Sequence, residues 1–267
     1  MLLCAEGALR PGHRYALLAF RAAAGGFAAL AVIGACLPMW TTQLSAAERA
    51  ATLPKPGQAS EVSRGGRLYD NHWSEIGRRP PTQRNPAYPT DQTADGLTTW
   101  RCVACHGWDY LGGAGHLDAN VSPFSSIRSA AGRDPKDIAK FLKTSTDHAM
   151  VLTGLPAGEL EDLALFVCCG QHDIGVLIDE NGKAKGDPLR GKDIFENSCA
   201  RCHQADGQAP LYGEEGDVSS LGWIARERPA QAVHKIRNGV PNADMLSLRF
   251  LELERIGDLL AYVQTLD

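Results

Sequence analysis

Two pentapeptides constrain this chain more than anything else in its 267 residues: Cys102-Val-Ala-Cys105-His106 and Cys199-Ala-Arg-Cys202-His203. Cys-x-x-Cys-His is the attachment signature of c-type haem. The two thiols bond to the porphyrin as thioethers, and the adjoining histidine reaches the iron as one axial ligand. Four cysteines could instead hold a zinc ion, but the histidine after each second cysteine would then be unexplained. A redox dithiol lacks its strand–helix surroundings here. Cys102, Cys105, His106, Cys199, Cys202 and His203 are therefore read as the attachment sites of two covalently bound haem c groups.

An internal repeat surrounds these motifs. Residues 64–71 (Arg-Gly-Gly-Arg-Leu-Tyr-Asp-Asn) match 190–197 (Arg-Gly-Lys-Asp-Ile-Phe-Glu-Asn), each reading as a helix with an apolar–aromatic pair turned inward. Residues 155–167 align without gaps on 251–263, with Leu160, Leu163 and Val167 on one face and Ile256, Leu259 and Val263 on its counterpart. A middle helix is expected in each copy. Asp134-Pro135 opens one, with Ile138, Phe141 and Leu142 inward; Pro229 opens the other, with Val233 and Ile236 inward. His234, on that second helix, reads as a surface or rim residue. Trp108 and Tyr110, just after the first motif, are expected to pack on the porphyrin.

The copies are not identical. An insert near residues 72–99, rich in Pro, Arg and Thr, separates the first helix of copy one from Cys102. Prolines stop helices, so it reads as a loop, either solvated or lying as a flap over the haem. Cys168 and Cys169 read as buried free thiols, with a vicinal disulfide as the alternative. Residues 173–186 form a linker whose apolar run followed by Asn181-Gly182 suggests a short hairpin.

The second axial ligand of each iron should come from the loop before the last helix. Met245 lies 42 residues after His203, and Met150 lies 44 after His106. They keep step when the last helices are aligned, so both are taken as iron ligands. His148, in the same loop as Met150, is an equally competent ligand, and the choice between them stays open. His72, His116 and His172 have weaker positional claims.

Residues 1–47 read as a signal peptide or membrane anchor. Their apolar stretch, 22–37, has 16 residues, short of the ~20 that a span needs. Cleavage near residues 44–47, lipidation at Cys36 or a retained anchor helix would each leave the rest outside the cytoplasm, with possible membrane association. The segment carries a local charge of +2, leaving −6 for the remainder of a chain whose net charge is −4. That is not the basic footprint of a nucleic-acid binder; it suits docking on a basic patch of a redox partner.

Taken together, both attachment motifs, His106, His203 and Met245 make residues 60–267 resemble the class I c-type cytochromes, twice over. The resemblance implies an all-α fold, with tandem cytochrome c (class I) haem domains at 60–172 and 187–267. It also implies single-electron transfer between periplasmic or membrane redox partners, in the manner of bacterial diheme periplasmic cytochromes. Leu246 departs from the family, many of whose members have proline after the methionine. The alternatives are a diheme enzyme (a peroxidase or sulfur-compound dehydrogenase) and a cytochrome subunit of a larger dehydrogenase or oxidase. The enzyme reading would need an open or labile iron site at one haem, for which the first haem is the candidate.

Overall fold

Ten α-helices organise the described residues, 58–90, 96–112, 126–210 and 219–267, of the computed structural model. In chain order they are α1 (Ala59–Glu75), α2 (Cys102–His106), α3 (Pro135–Thr144), α4 (Thr146–Val151) and α5 (Ala157–Cys169). Then come α6 (Pro188–Ser198), α7 (Ala200–His203), α8 (Leu221–Glu227), α9 (Pro229–Asn238) and α10 (Leu253–Val263). All described residues belong to one unit, Leu44–Asp267. The leader expected at 1–47 lies outside the described residues. Among the described residues, no helix is long and apolar enough to cross a membrane.

The sequence repeat becomes a repeated helix crossing. Helix α1 packs on α5 and α6 packs on α10, the two largest helix contacts in the molecule. A glycine makes each crossing possible. A Cβ on Gly65 would run into the Asp162 carbonyl and the Phe166 side chain; a Cβ on Gly191 would run into the Asp258 carbonyl and the Tyr262 side chain. Only a residue without a side chain lets the backbones approach so closely. The preceding arginine ties each crossing shut. Arg64 pairs with Glu159 and Asp162, and Arg190 Nε reaches Asp258 at 2.8 Å. Burial would raise the Asp258 carboxyl, but its bonds from Arg190 outweigh that and hold it below the usual range.

Each crossing has its own apolar core. Tyr69, Leu142, Leu160, Leu163 and Phe166 fill the first; Phe195, Val233, Ile256, Leu259 and Leu260 fill the second. Tyr69 and Phe195, equivalent in the repeat, are both fully buried, and burying one such ring stabilises by about 2–3 kcal/mol. The linker joins the second core through Ile174, Leu177 and Ile178. It folds back through an antiparallel bridge between Ile178 and Ala184, the hairpin expected from Asn181-Gly182. Asp134 caps α3 by accepting from Lys136 N at 2.8 Å, as its position before Pro135 predicts. Phe141, expected inward with Ile138 and Leu142, is more than half exposed instead.

The two halves meet along a polar seam where α1 faces α9. Here the expectation for His234 is corrected: it is fully buried. Its Nε2 lies 2.9 Å from the Gly66 carbonyl and its Nδ1 2.9 Å from the Tyr110 hydroxyl. A carbonyl only accepts, so Nε2 carries the hydrogen and Tyr110 donates to Nδ1. Tyr110 also stands 3.3 Å from His172 Nδ1. Burial, the largest influence, lowers the His234 pKa to about 3. Nearby, Asp70 of α1 accepts from Lys235 Nζ of α9 at 2.7 Å and pairs with Arg101. Trp108 stacks edge-on to His234 and packs against both cores. Trp108 and Tyr110 therefore build the junction between the halves, not the porphyrin wall expected of them. The short His106–Trp108–Tyr110 spacing swings these rings past the motif helix into the seam.

Candidate haem sites

The first motif forms the single short helix α2, and its side chains face a cavity of about 400 Å³. Cys102, Cys105 and His106 line it on one side. Its apolar wall includes Ile138, Leu142, Leu163 and Val167, with Arg101 and Arg133 also on the lining. Burial pushes the Cys102 and Cys105 thiols up to about 12. The apolar surroundings thus favour the neutral thiol there. No cluster of three or more metal-binding side chains occurs among the described residues. Paired thiols, an imidazole, an apolar slot and guanidinium groups suit a porphyrin and its carboxylates.

Opposite His106 stands His148. The two rings are parallel within 2°, with centroids 6.0 Å apart. Ser145 Oγ lies 3.1 Å from His148 Nδ1 and fixes the ring's orientation. Met150, expected as the iron ligand, is exposed, and the cavity-facing residues of α4 are Asp147, His148 and Val151. The reason is helical. Successive residues turn by about 100°, so 147, 148 and 151 share a face and 150 points away from it. Sequence spacing from the flanking helices does not specify which side chain of this turn faces the cavity.

The insert is a folded wall. Helix α1 continues to Glu75 through a kink at Asn71, so residues 72–75 of the segment read as insert are helical. Asn85, Ala87 and Thr99 line the cavity. Asn85 and Thr99 are buried, and the Asn85 amide donates to Thr99 Oγ1 at 3.0 Å. Trp100 Nε1 donates to Gln83 O at 2.7 Å, and Arg78 bonds Gly154 O at 3.0 Å beyond α4. The solvated-loop reading is corrected for these residues: a run of prolines ends a helix without deciding whether the chain beyond is packed. His72 is buried with Nε2 on the Val151 carbonyl at 3.1 Å, and burial lowers its pKa to about 4. Residues 91–95 and 113–125, which include His116, lie outside the described residues.

The second motif is more open. Cys199 precedes α7 and is half-buried, with burial pushing its thiol up to about 11, while Cys202 is exposed. His203 Nδ1 lies 3.2 Å from the Ala209 carbonyl. Because that oxygen only accepts, Nδ1 carries the hydrogen and Nε2 the metal-ligating lone pair, the arrangement usual behind a metal-bound histidine. Burial lowers the His203 pKa, which favours the neutral, ligating form. Met245 is half-buried in the chain between α9 and α10. Gly239, with φ +86°, turns that chain so closely that a Cβ would lie 2.7 Å from the Met245 carbonyl oxygen. Beyond it, Leu246 and Phe250 are exposed. Residues 211–218 lie outside the described residues.

Cys168 and Cys169 are joined in a disulfide at the end of α5, which corrects the free-thiol reading. Tyr69 was anticipated as core, but its hydroxyl donates to Gly107 O at 2.7 Å just behind the motif helix, and its ring borders the cavity. The only sequence signal for this was its match to Phe195, which is silent about the hydroxyl.

Residues 189–267 match the family model for cytochrome c. The match implies an electron-transfer haem protein with covalently bound haem c, and the helical architecture agrees with it. A comparison with curated proteins gave no significant match. Among solved structures, a chain titled as part of the reducing HAO-like protein complex of Kuenenia stuttgartiensis is 18% identical. The match covers 61% of this chain and 90% of that one, with a TM-score of 0.25. That likeness is too slight to bear on fold or function. The cytochrome c match begins at the start of α6 and includes Cys199, Cys202, His203 and Met245.

Proposed function

We propose that the chain is a diheme c-type cytochrome that carries single electrons between redox partners in the periplasm. One observation carries the second haem: the Gly65 and Gly191 crossings use equivalent contacts, and each is followed by its own Cys-x-x-Cys-His helix. The half outside the family match is thus built like the half inside it. In this reading Cys102, Cys105, Cys199 and Cys202 hold the porphyrins, His106 and His203 ligate the irons, and Met245 completes the second site.

Haem supplies a reversible one-electron iron couple. The chain's own residues do the rest. Cys102 and Cys105 would hold the porphyrin through thioether bonds, and Leu142, Leu163 and Val167 would keep water from it. The Ala209 carbonyl holds His203 in the ligating tautomer. Arg101 and Arg133 offer charge to the porphyrin carboxylates. The acidic chain favours a basic docking patch on a partner. Export through the N-terminal segment agrees with extracytoplasmic haem attachment.

The test is a haem count on the purified mature protein by alkaline pyridine haemochrome and intact mass. Two haems per chain, resistant to acid–organic extraction, are expected. One haem, lost with Cys199→Ser and Cys202→Ser but unaffected by Cys102→Ser and Cys105→Ser, would remove the first site.

A further inference from the structure

We infer that His148 is the second axial ligand of the first iron, which makes that site histidine–histidine while the second is histidine–methionine. The inference deepens the diheme reading and rests on it. First-row metal–imidazole bonds are ~2 Å long, so two of them plus the half-widths of two rings set trans imidazoles ~6 Å apart, centre to centre. The His106 and His148 ring centroids stand 6.0 Å apart, and both residues line the cavity that holds the attachment thiols. The 3.1 Å contact between Ser145 Oγ and His148 Nδ1 is the outer-shell bond that orients a ligating ring. The rivals are placed elsewhere. Met150 is exposed, and neither it nor His72 is among the residues that line the cavity.

The consequence is directional. Thioether ligation raises a haem potential relative to imidazole, so the first iron is the stronger reductant and passes its electron on to the second.

The test uses the full-length holoprotein, titrated redox-potentiometrically with visible and far-red spectra. Wild type should show two low-spin haems but one haem-equivalent of the methionine–iron charge-transfer band, abolished by Met245→Ala. Met150→Ala should change nothing. His148→Ala should turn one haem high-spin, and added imidazole should restore it. His148→Met should add a second equivalent of the band and raise the lower potential. Two equivalents in wild type, or loss of one in Met150→Ala, would overturn the assignment even if His148→Ala fails to accumulate. So would a low-spin first haem in His148→Ala without imidazole. A haem count other than two strikes the diheme reading instead, which separates the two failures.

Discussion

The two halves share a frame and differ in what they place over the motif. In the second half α6 runs directly into Cys199, and Met245 lies on an irregular stretch after Gly239. In the first half the insert packs Asn85 and Thr99 against the cavity, and the short helix α4 faces it with Asp147, His148 and Val151. A duplicated frame can therefore be closed over its two motifs by different chain, because the glycine crossing that builds the frame is independent of the chain that closes it.

The largest expected effect tests whether the frames are equivalent. Gly65→Val and Gly191→Val each drive a branched side chain into a backbone carbonyl. Each should destabilise by ~3 kcal/mol or more, read as a matched fall in chemical-denaturation midpoint. A large effect at one position only would break the equivalence.

Next is the seam. Asp70→Asn leaves Lys235 and Arg101 facing a neutral group at a site 2% exposed. Removing one partner of a buried pair costs ~3–5 kcal/mol, reduced here because both cations are partly exposed, so about 2–3 kcal/mol is expected. If the halves then melt separately in calorimetry, the seam is what makes them one cooperative unit.

Acid provides a graded test of the same seam. The folded pKa of His234 is depressed from 6.5 to about 3. The unfolded chain thus binds a proton first, and stability is lost as pH falls from about 6.5 toward about 3. Burial raises Asp70, but Lys235 and Arg101 outweigh it and hold the carboxyl low. Its contribution is present above the ordinary carboxylate range and disappears at still lower pH. His72, wholly within the first half, adds to the histidine slope down to about 4. His234→Gln should flatten the slope between pH 6.5 and 4 without abolishing it; an unchanged slope would mean that the seam does not exclude protons.

The smallest effect separates the middle helices. Asp134 caps α3 with its side chain, whereas Arg228 before α9 makes no side-chain cap. Asp134→Ala should cost about 1 kcal/mol and Arg228→Ala less than half of that, measured by thermal melts.

Much of this was legible in the chain. Cys-x-x-Cys-His is one helical turn, so its chemistry is local, and the Asp134-Pro135 cap and the 3.6-residue faces of α5 and α10 are local too. The repeat exposed Gly65 and Gly191 as partners, although not the carbonyls they touch. What escaped was long-range or rotational. His234, Tyr110 and Gly66 meet across more than a hundred residues, and nothing in a ten-residue window around His234 separates a buried acceptor from a rim residue. His148 and Met150 stand two residues apart, and only the rotation of α4 about its axis decides which enters the cavity.

The sequence by itself determined the attachment motifs, the helices and the internal repeat, because each follows from residues close in the chain or from their periodic spacing. The tertiary structure decided which ring opposes His106, how the insert packs and how the halves are joined. Those depend on backbones approaching from distant parts of the chain, and the free energy of burying a hydrogen-bonded polar group there is set by partners that no local pattern names.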